Sequence, residues 1–303
     1  MHSKSFTIQV GKLRMRVSTS EEAFMYIPEG YEPFLVQDNM PYDTQVEVVQ
    51  QLPFSPKEGQ EIFRAEDFEE SQNTTPNGLL WHIVEKDERR FVFTSEPYSG
   101  LYPYLAATIE EDTRKWTIFN SATAKDKGVT LMNPLAYPMG PLLLYHQALL
   151  NHAVMIHASG VITPEGAYIF SGFSGIGKST MASLWQQKGY TIINDDRLLM
   201  YQHQGQWHVC NTPMTYADSP KSAPLKAAFL LKQCPDNNLT HLSGIHAATR
   251  LMAFCIQHHY NPTHIQMITD TVFDIAESID IYELGFLPDT GVVDMVAAYR
   301  KKS

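Results

Sequence analysis

Residues Gly172 to Ser179 read Gly-Phe-Ser-Gly-Ile-Gly-Lys-Ser, and Thr180 follows. The glycines allow a tight turn that aims backbone N–H donors inward at an anion. The lysine is spaced to reach the β and γ phosphates of a nucleoside triphosphate, and the serine hydroxyl to ligate magnesium. The pattern is G-x-x-x-x-G-K-[ST], the Walker A phosphate loop. It constrains the fold more than any other feature, because it works only between a strand and a helix whose positive dipole end faces the same anion. The residues expected to bind nucleotide are Gly172, Ser174, Gly175, Ile176, Gly177, Lys178, Ser179 and Thr180.

The flanking sequence supplies both elements. Ala167 to Ser171 is a short apolar, aromatic and β-branched run after the turn-like Thr163-Pro164-Glu165-Gly166, which predicts a strand. From Thr180 to Lys188 the residues Met181, Leu184 and Trp185 recur on one helical face, and Gly189 is a ready C-terminal stop. A second strand, Tyr190 to Ile193, ends in Asn194-Asp195-Asp196-Arg197. Taken alone, such an acidic pair is a polar strand-end turn. After a Walker A loop at this spacing it is where magnesium is held, with one carboxylate on the metal and the other free to accept a proton. Adjacent carboxylates repel and need a cation nearby, for which Lys178, Arg197 and magnesium are candidates.

With these residues in view, the stretch from Ile156-His157 through the loop to Asn194-Asp195-Asp196-Arg197 resembles the catalytic domain of HPr kinase/phosphorylase. That family consists of bacterial serine kinases built on a P-loop domain related to phosphoenolpyruvate carboxykinase. Its pattern is a histidine upstream of G-D-S-G-[IV]-G-K-S, then R-G-H, then A-D-D-R. Here the spacings from His157 to Lys178 and from Lys178 to Asp196 match without a gap, over roughly residues 152 to 201. The resemblance implies an enzyme using magnesium and ATP (or GTP). It implies Lys178 and Ser179 on phosphate and metal, Asp195 as the magnesium-associated carboxylate, Asp196 as general base, and His157 near the transferring phosphate. Without it, His157 reads equally well as a core histidine behind Ala153-Val154-Met155-Ile156.

The departures from the family are as informative. Its E-[IV]-R-G-x-G signature is replaced here by Trp207-His208-Val209-Cys210-Asn211-Thr212-Pro213. No glutamate is available there, and Asn211 and Thr212 offer only neutral oxygens to a metal. The family's later arginine has Lys221, Lys226 or Lys232 as substitutes. The glycine-rich second loop of the phosphorylase activity is not visible. The expected acceptor is therefore a hydroxyl of a protein, peptide or small molecule other than HPr. The alternative is a nucleotide-binding sensor without phosphotransfer, and a third reading is a small-molecule enzyme nearer the carboxykinase.

Composition narrows the partners. The 303 residues carry a net charge of −10 and no basic patch, which argues against nucleic acid. No apolar run is long enough to span a bilayer, and no signal-like core opens the chain, so a cytoplasmic protein is expected. The three cysteines, Cys210, Cys234 and Cys255, are too few and too scattered for a disulfide framework or zinc site. The histidines from His241 to His264 lack metal-ligand spacing and read as ordinary residues. Oligomer formation, common in the family, stays open.

Along the chain, residues 1–136 read as a smaller β-rich domain. Strands are expected at Phe6–Val10, Leu13–Val17, Gln45–Val49, Trp81–Glu85, Phe91–Thr94 and Lys115–Phe119, in an antiparallel sandwich or curled sheet. The polar segment from Glu58 to Gly78 reads as loop. Residues 137–303 read as an α/β P-loop, HPr kinase/carboxykinase-like domain. An amphipathic helix is expected over Pro141 to Ala153 and apolar helices over Ile245 to His258 and Ile265 to Ser278. A hairpin around Gln204-Gly205, strands at Ala227–Leu231 and Ile281–Phe286, and a closing helix from Val292 to Arg300 complete it.

Overall fold

A computed structural model describes residues 2–37, 39–66, 79–94, 105–109, 114–121, 125–126 and 129–300. It is a mixed α/β structure with several sheets, divided into two compact units, Met1–Gln147 with Pro213–Ser219, and Ala148–Thr212 with Pro220–Ser303. The border expected near residue 136 lies ahead of the helix Met139–Leu150, most of which belongs to the first unit.

In the first unit, alternation of buried and exposed side chains builds the sheet. Leu13, Met15 and Val17 point inward along Leu13–Ser18, as do Thr44, Val46 and Val48 along Thr44–Val49. Among the described residues nine strands pair in one sheet, and a smaller sheet contains His2–Ser3, Phe24–Tyr26, Lys125–Asp126 and Val129–Met132. The expectation of an antiparallel sheet holds for most of its pairings and fails at one strand. Thr44–Val49 pairs in parallel with Leu13–Ser18 on one side and with Lys115–Asn120 on the other. Alternation specifies which face of a strand is buried and says nothing about its direction.

Three further expectations change. The segment from Glu58 contains a strand, Gln60–Glu66, and residues 67–78 of the expected loop lie outside the described residues. The helix Met139–Leu150 is buried on nearly every side rather than amphipathic. It ends before His152 (φ 48°), and Ala153 opens the next strand. Its Gln147 side chain hydrogen-bonds Thr44, and its His146 ring lies 5.0 Å from Trp116.

In the second unit the elements are β1 (Ala153–Thr163), β2 (Gly166–Ser171), α1 (Lys178–Gln187), β3 (Thr191–Asn194), β4 (Arg197–His203), β5 (Gln206–Asn211), β6 (Ser222–Gln233), β7 (Asn238–Leu242), α2 (Gly244–Met252), α3 (Pro262–Ser278), β8 (Asp280–Phe286) and α4 (Gly291–Arg300). The strand β1 is the spine. Its first half pairs with β4, and its second half lies between β2 and β3, all antiparallel. The long β6 runs parallel to β2 and to β8. A core of Phe170, Met181, Trp185, Phe229, Tyr282 and Val293 joins sheet and helices.

Local chemistry explains the boundaries. Helix α1 ends in a Schellman motif: Gly189 (φ +86°) donates to the Gln186 carbonyl at 2.9 Å and Tyr190 to that of Trp185 at 3.2 Å. The rings of Trp185 and Tyr190, 4.8 Å apart, supply the apolar contact such a cap favours. Helix α3 starts at Pro262 because Asn261 caps it, accepting from the Thr263 N–H at 2.9 Å. The helix expected to reach His258 stops instead at Met252. Phe254 and Ile256 give their main-chain groups to β1, His157 N–H to Phe254 O at 3.1 Å and Ile256 N–H to Met155 O at 2.8 Å. An edge of β1 that β2 does not reach outcompetes another helical turn.

Candidate functional site

Because β2 and β3 both run antiparallel to β1, they run parallel to each other. The loop after β2 and the acidic pair after β3 therefore leave the sheet at the same end, where open α/β sheets bind ligands. The topology brings together two motifs that are separated in the chain.

The glycine loop has the backbone its sequence requires. Gly175 and Gly177 lie at φ +76° and +114°, and a Cβ on Gly177 would meet the Phe286 ring at 2.8 Å. Gly177 is the N-cap of α1 and brings no capping side chain, and no acidic residue occupies the first turn. The positive end of α1 thus faces the loop without an internal anion. Lys178 folds back over the loop, its Nζ donating to the carbonyls of Gly172 at 3.0 Å and Phe173 at 3.2 Å. Neutral carbonyls hold an ammonium less strongly than phosphate oxygens do, so this contact is readily exchanged.

Two buried serines fasten the loop to β1. Ser159 Oγ donates to the Lys178 carbonyl at 3.1 Å, and Ser171 Oγ to the His157 carbonyl at 2.5 Å. The acidic turn is held as firmly. The Asp196 N–H donates to Asn194 Oδ1 at 2.8 Å, and the Asp196 carbonyl accepts from the Ala158 N–H at 3.1 Å. Lys221 Nζ donates to the Ile193 carbonyl at 3.2 Å. Of the lysines offered as substitutes for an arginine, Lys221 is the one bonded beside the acidic turn; Lys232 pairs with Glu283 at 3.4 Å.

The side chains converge. Asp196 Oδ1 lies 3.6 Å from His157 Nδ1, and its Oδ2 lies 3.4 Å from Arg197 Nε. The His157 side chain is 52% exposed, so the core-histidine reading is corrected: β1 presents the ring outward at the point where β4 gives way to β2. The Asp196 carboxyl is held below the usual carboxylate range, first by His157 and then by Arg197, against partial burial that pushes the other way. At 3.6 Å the His157–Asp196 contact is longer than an ordinary hydrogen bond. Partial burial lowers the Lys178 ammonium and the field of Asp196 raises it, so ammonium and carboxylate share one electrostatic environment.

Ser179, Thr180 and Asp195 are exposed at this end of the unit, and Ser174 and Gly175 at the loop's tip. Asn211 and Thr212 do not serve as the metal oxygens considered for them. Both are buried; Asn211 Oδ1 accepts from the Lys221 N–H at 2.8 Å, and Thr212 Oγ1 donates to the Arg197 carbonyl at 3.3 Å. Among the described residues no group of three or more His, Cys, Asp or Glu is disposed to hold a metal. A hydroxyl and one or two carboxylates suit magnesium, which keeps most of its ligands as water and phosphate oxygens. Ser159, Ser171 and Asn194 were not singled out from the sequence; the readable signal is a small polar residue inside an otherwise apolar strand. Also among the described residues, no helix is long and apolar enough to cross a membrane.

No family model matches the chain, and no curated protein matches it significantly. Among solved structures, the HPr(Ser) kinase/phosphatase from Coxiella burnetii aligns at 13% identity over 49% of this chain and 97% of that one, with a TM-score of 0.30. A likeness at that score carries no argument about what this chain does.

Proposed function

We propose that the second unit is a phosphotransferase that moves the γ-phosphoryl group of ATP or GTP to a hydroxyl, with magnesium as its metal. The observation that carries this reading is the meeting of Lys178, Asp196 and His157 at the strand ends beside an uncapped helix N-terminus. Backbone N–H groups from Ser174 to Thr180 would cradle the phosphates, and Ser179 and Asp195 would hold the metal. Magnesium, when bound, neutralises charge on the phosphates.

In the reaction, the acceptor oxygen bonds to the γ-phosphorus while the bond to the β–γ bridging oxygen breaks. The nucleoside diphosphate leaves with that electron pair, and Asp196 takes the hydroxyl proton. The lowered pKa of Asp196 keeps it ionised and ready to accept, though a weak base. Proton transfer then lags phosphoryl transfer, which a loose transition state tolerates. Lys178 opposes the charge that develops on the transferring group, and His157 orients Asp196.

The test is incubation with Mg·[γ-32P]ATP and cell extract. Label on an acceptor with the wild type, and none with Asp196→Asn, supports the reading; equal labelling by the variant overturns it. A second reading, nucleotide sensing without transfer, draws on the burial of Asn211 and Thr212, which leaves the metal shell with few protein oxygens. Tight Mg·ATP binding with no labelled acceptor favours it.

A further inference from the structure

The loop carries a phenylalanine directly after its first glycine, and Phe173 is 72% exposed, the most exposed large hydrophobic side chain among the described residues. Lone exposed apolar residues are ordinary. This one is not alone. Its ring meets that of Phe254 edge to face, centroids 5.2 Å apart. Phe254 lies in the segment that covers the free edge of β1 after α2 ends.

The main chain ties each ring to a group near Asp196, Phe173 to Lys178 and Phe254 to His157. The Phe173 carbonyl accepts from Lys178 Nζ at 3.2 Å, and the Phe254 carbonyl accepts from the His157 N–H at 3.1 Å. The aromatic pair therefore borders the point where ammonium, histidine and carboxylate converge. On the phosphotransfer reading that is where the γ-phosphate of a nucleotide on this loop would lie, with the base a ribose and two further phosphates away. What approaches Asp196 there is the acceptor. Two rings that shield each other only edge-on leave apolar surface that a neighbouring apolar side chain can cover.

We propose that Phe173 and Phe254 are specificity-determining residues that seat an apolar side chain flanking the acceptor hydroxyl, so that the acceptor is a peptide or protein segment with an apolar residue beside its serine or threonine. This rests on the phosphotransfer reading and names its substrate class. A small alcohol or sugar would leave the rings bare, and a nucleobase stacked on them would make them nucleotide contacts instead.

The experiment uses two pools of serine- and threonine-containing peptides that differ only in flanks, Leu/Ile/Phe against Asp/Lys/Gln. Each pool is tested for labelling from Mg·[γ-32P]ATP, and for binding by fluorescence anisotropy to protein loaded with magnesium and a non-hydrolysable ATP analogue. The apolar pool is expected to bind and to be labelled about tenfold better. Phe173→Ala, at an exposed position, and Phe254→Ala should each cut that preference to about twofold through acceptor KM, with the Kd for Mg·ADP changed by less than about twofold. Equal behaviour of the pools, in labelling or in binding when no label transfers, overturns the proposal. So does a Phe173→Ala protein whose loss falls on nucleotide Kd while peptide preference persists. A wild type that binds no nucleotide refutes the phosphotransfer reading itself, whereas one that labels both pools alike refutes only the aromatic seat.

Discussion

The two units use charge in opposite ways. Among the described residues of the first, surface pairs such as Arg64 with Glu61 at 2.9 Å, Arg90 with Glu85 at 3.3 Å and Arg114 with Asp43 at 3.9 Å stand apart from one another, each with substantially exposed side chains. Such pairs dress a sheet and contribute little to its stability. In the second unit Lys178, Asp196, His157 and Arg197 come from separate elements and meet at one end of the sheet, each held by main-chain or serine contacts. Holding charges together costs desolvation and repulsion, and a fold retains such an arrangement where a ligand repays it. The contrast is why the proposed phosphotransfer is assigned to the second unit.

The sharpest way to break the contrast is Lys178→Ala. We expect transfer to fall by about 10³-fold or more in steady-state kcat, with weaker Mg·ATP binding by calorimetry. An unchanged rate would return this unit to the status of the first. Asp196→Asn preserves shape and removes the proton acceptor. Its expected cost is about 10²–10³-fold in kcat with little change in nucleotide Kd, and a loss confined to nucleotide Kd would make Asp196 a binding residue only. Gly177→Ala must adopt φ +114° and press on the Phe286 ring. Denaturant titration should show a loss of about 2 kcal/mol together with impaired nucleotide binding.

Acid sharpens the comparison differently. Burial first, then His264 and His259, draws the His258 imidazole of the second unit from the usual 6.5 to about 4. The folded protein binds that proton less readily than the unfolded chain. Its contribution is therefore complete above about pH 6.5 and is lost as pH falls toward 4. Melting temperatures at pH 7.5 and pH 5 should differ by the equivalent of roughly 2 kcal/mol more in wild type than in His258→Asn. The smallest expected effect is Arg64→Ala in the first unit, within about 0.5 kcal/mol by denaturant titration and with phosphotransfer unchanged.

Much of this was legible in the chain where the deciding physics is local. The turns at Asp87-Glu88 and Gln204-Gly205 take positive φ between strands that the alternation had already marked. Gly189 stops α1 where its sequence says it should. The helix after Ile245 is shorter than its sequence predicts because the apolar run continues through Phe254 and Cys255, and only β1, far away in the chain, offers those residues a better partner. His157 was ambiguous for the same reason, since its exposure depends on which strands flank β1 at that point. Asn211 and Thr212 read as spare oxygens in the sequence because their partners, Lys221 and Arg197, are brought beside them only by the fold.

The sequence by itself determined the turns, the caps, the glycine loop and the faces that strands bury. Those follow from what each residue permits its own backbone and from the period of apolar side chains. Tertiary structure alone decided which strands lie parallel, what covers the free edge of β1, and that His157, Lys178 and Asp196 share one space near an exposed ring and a half-buried one. Pairing between distant segments is a competition among registers and partners, settled by burial and by satisfying main-chain groups across the whole unit.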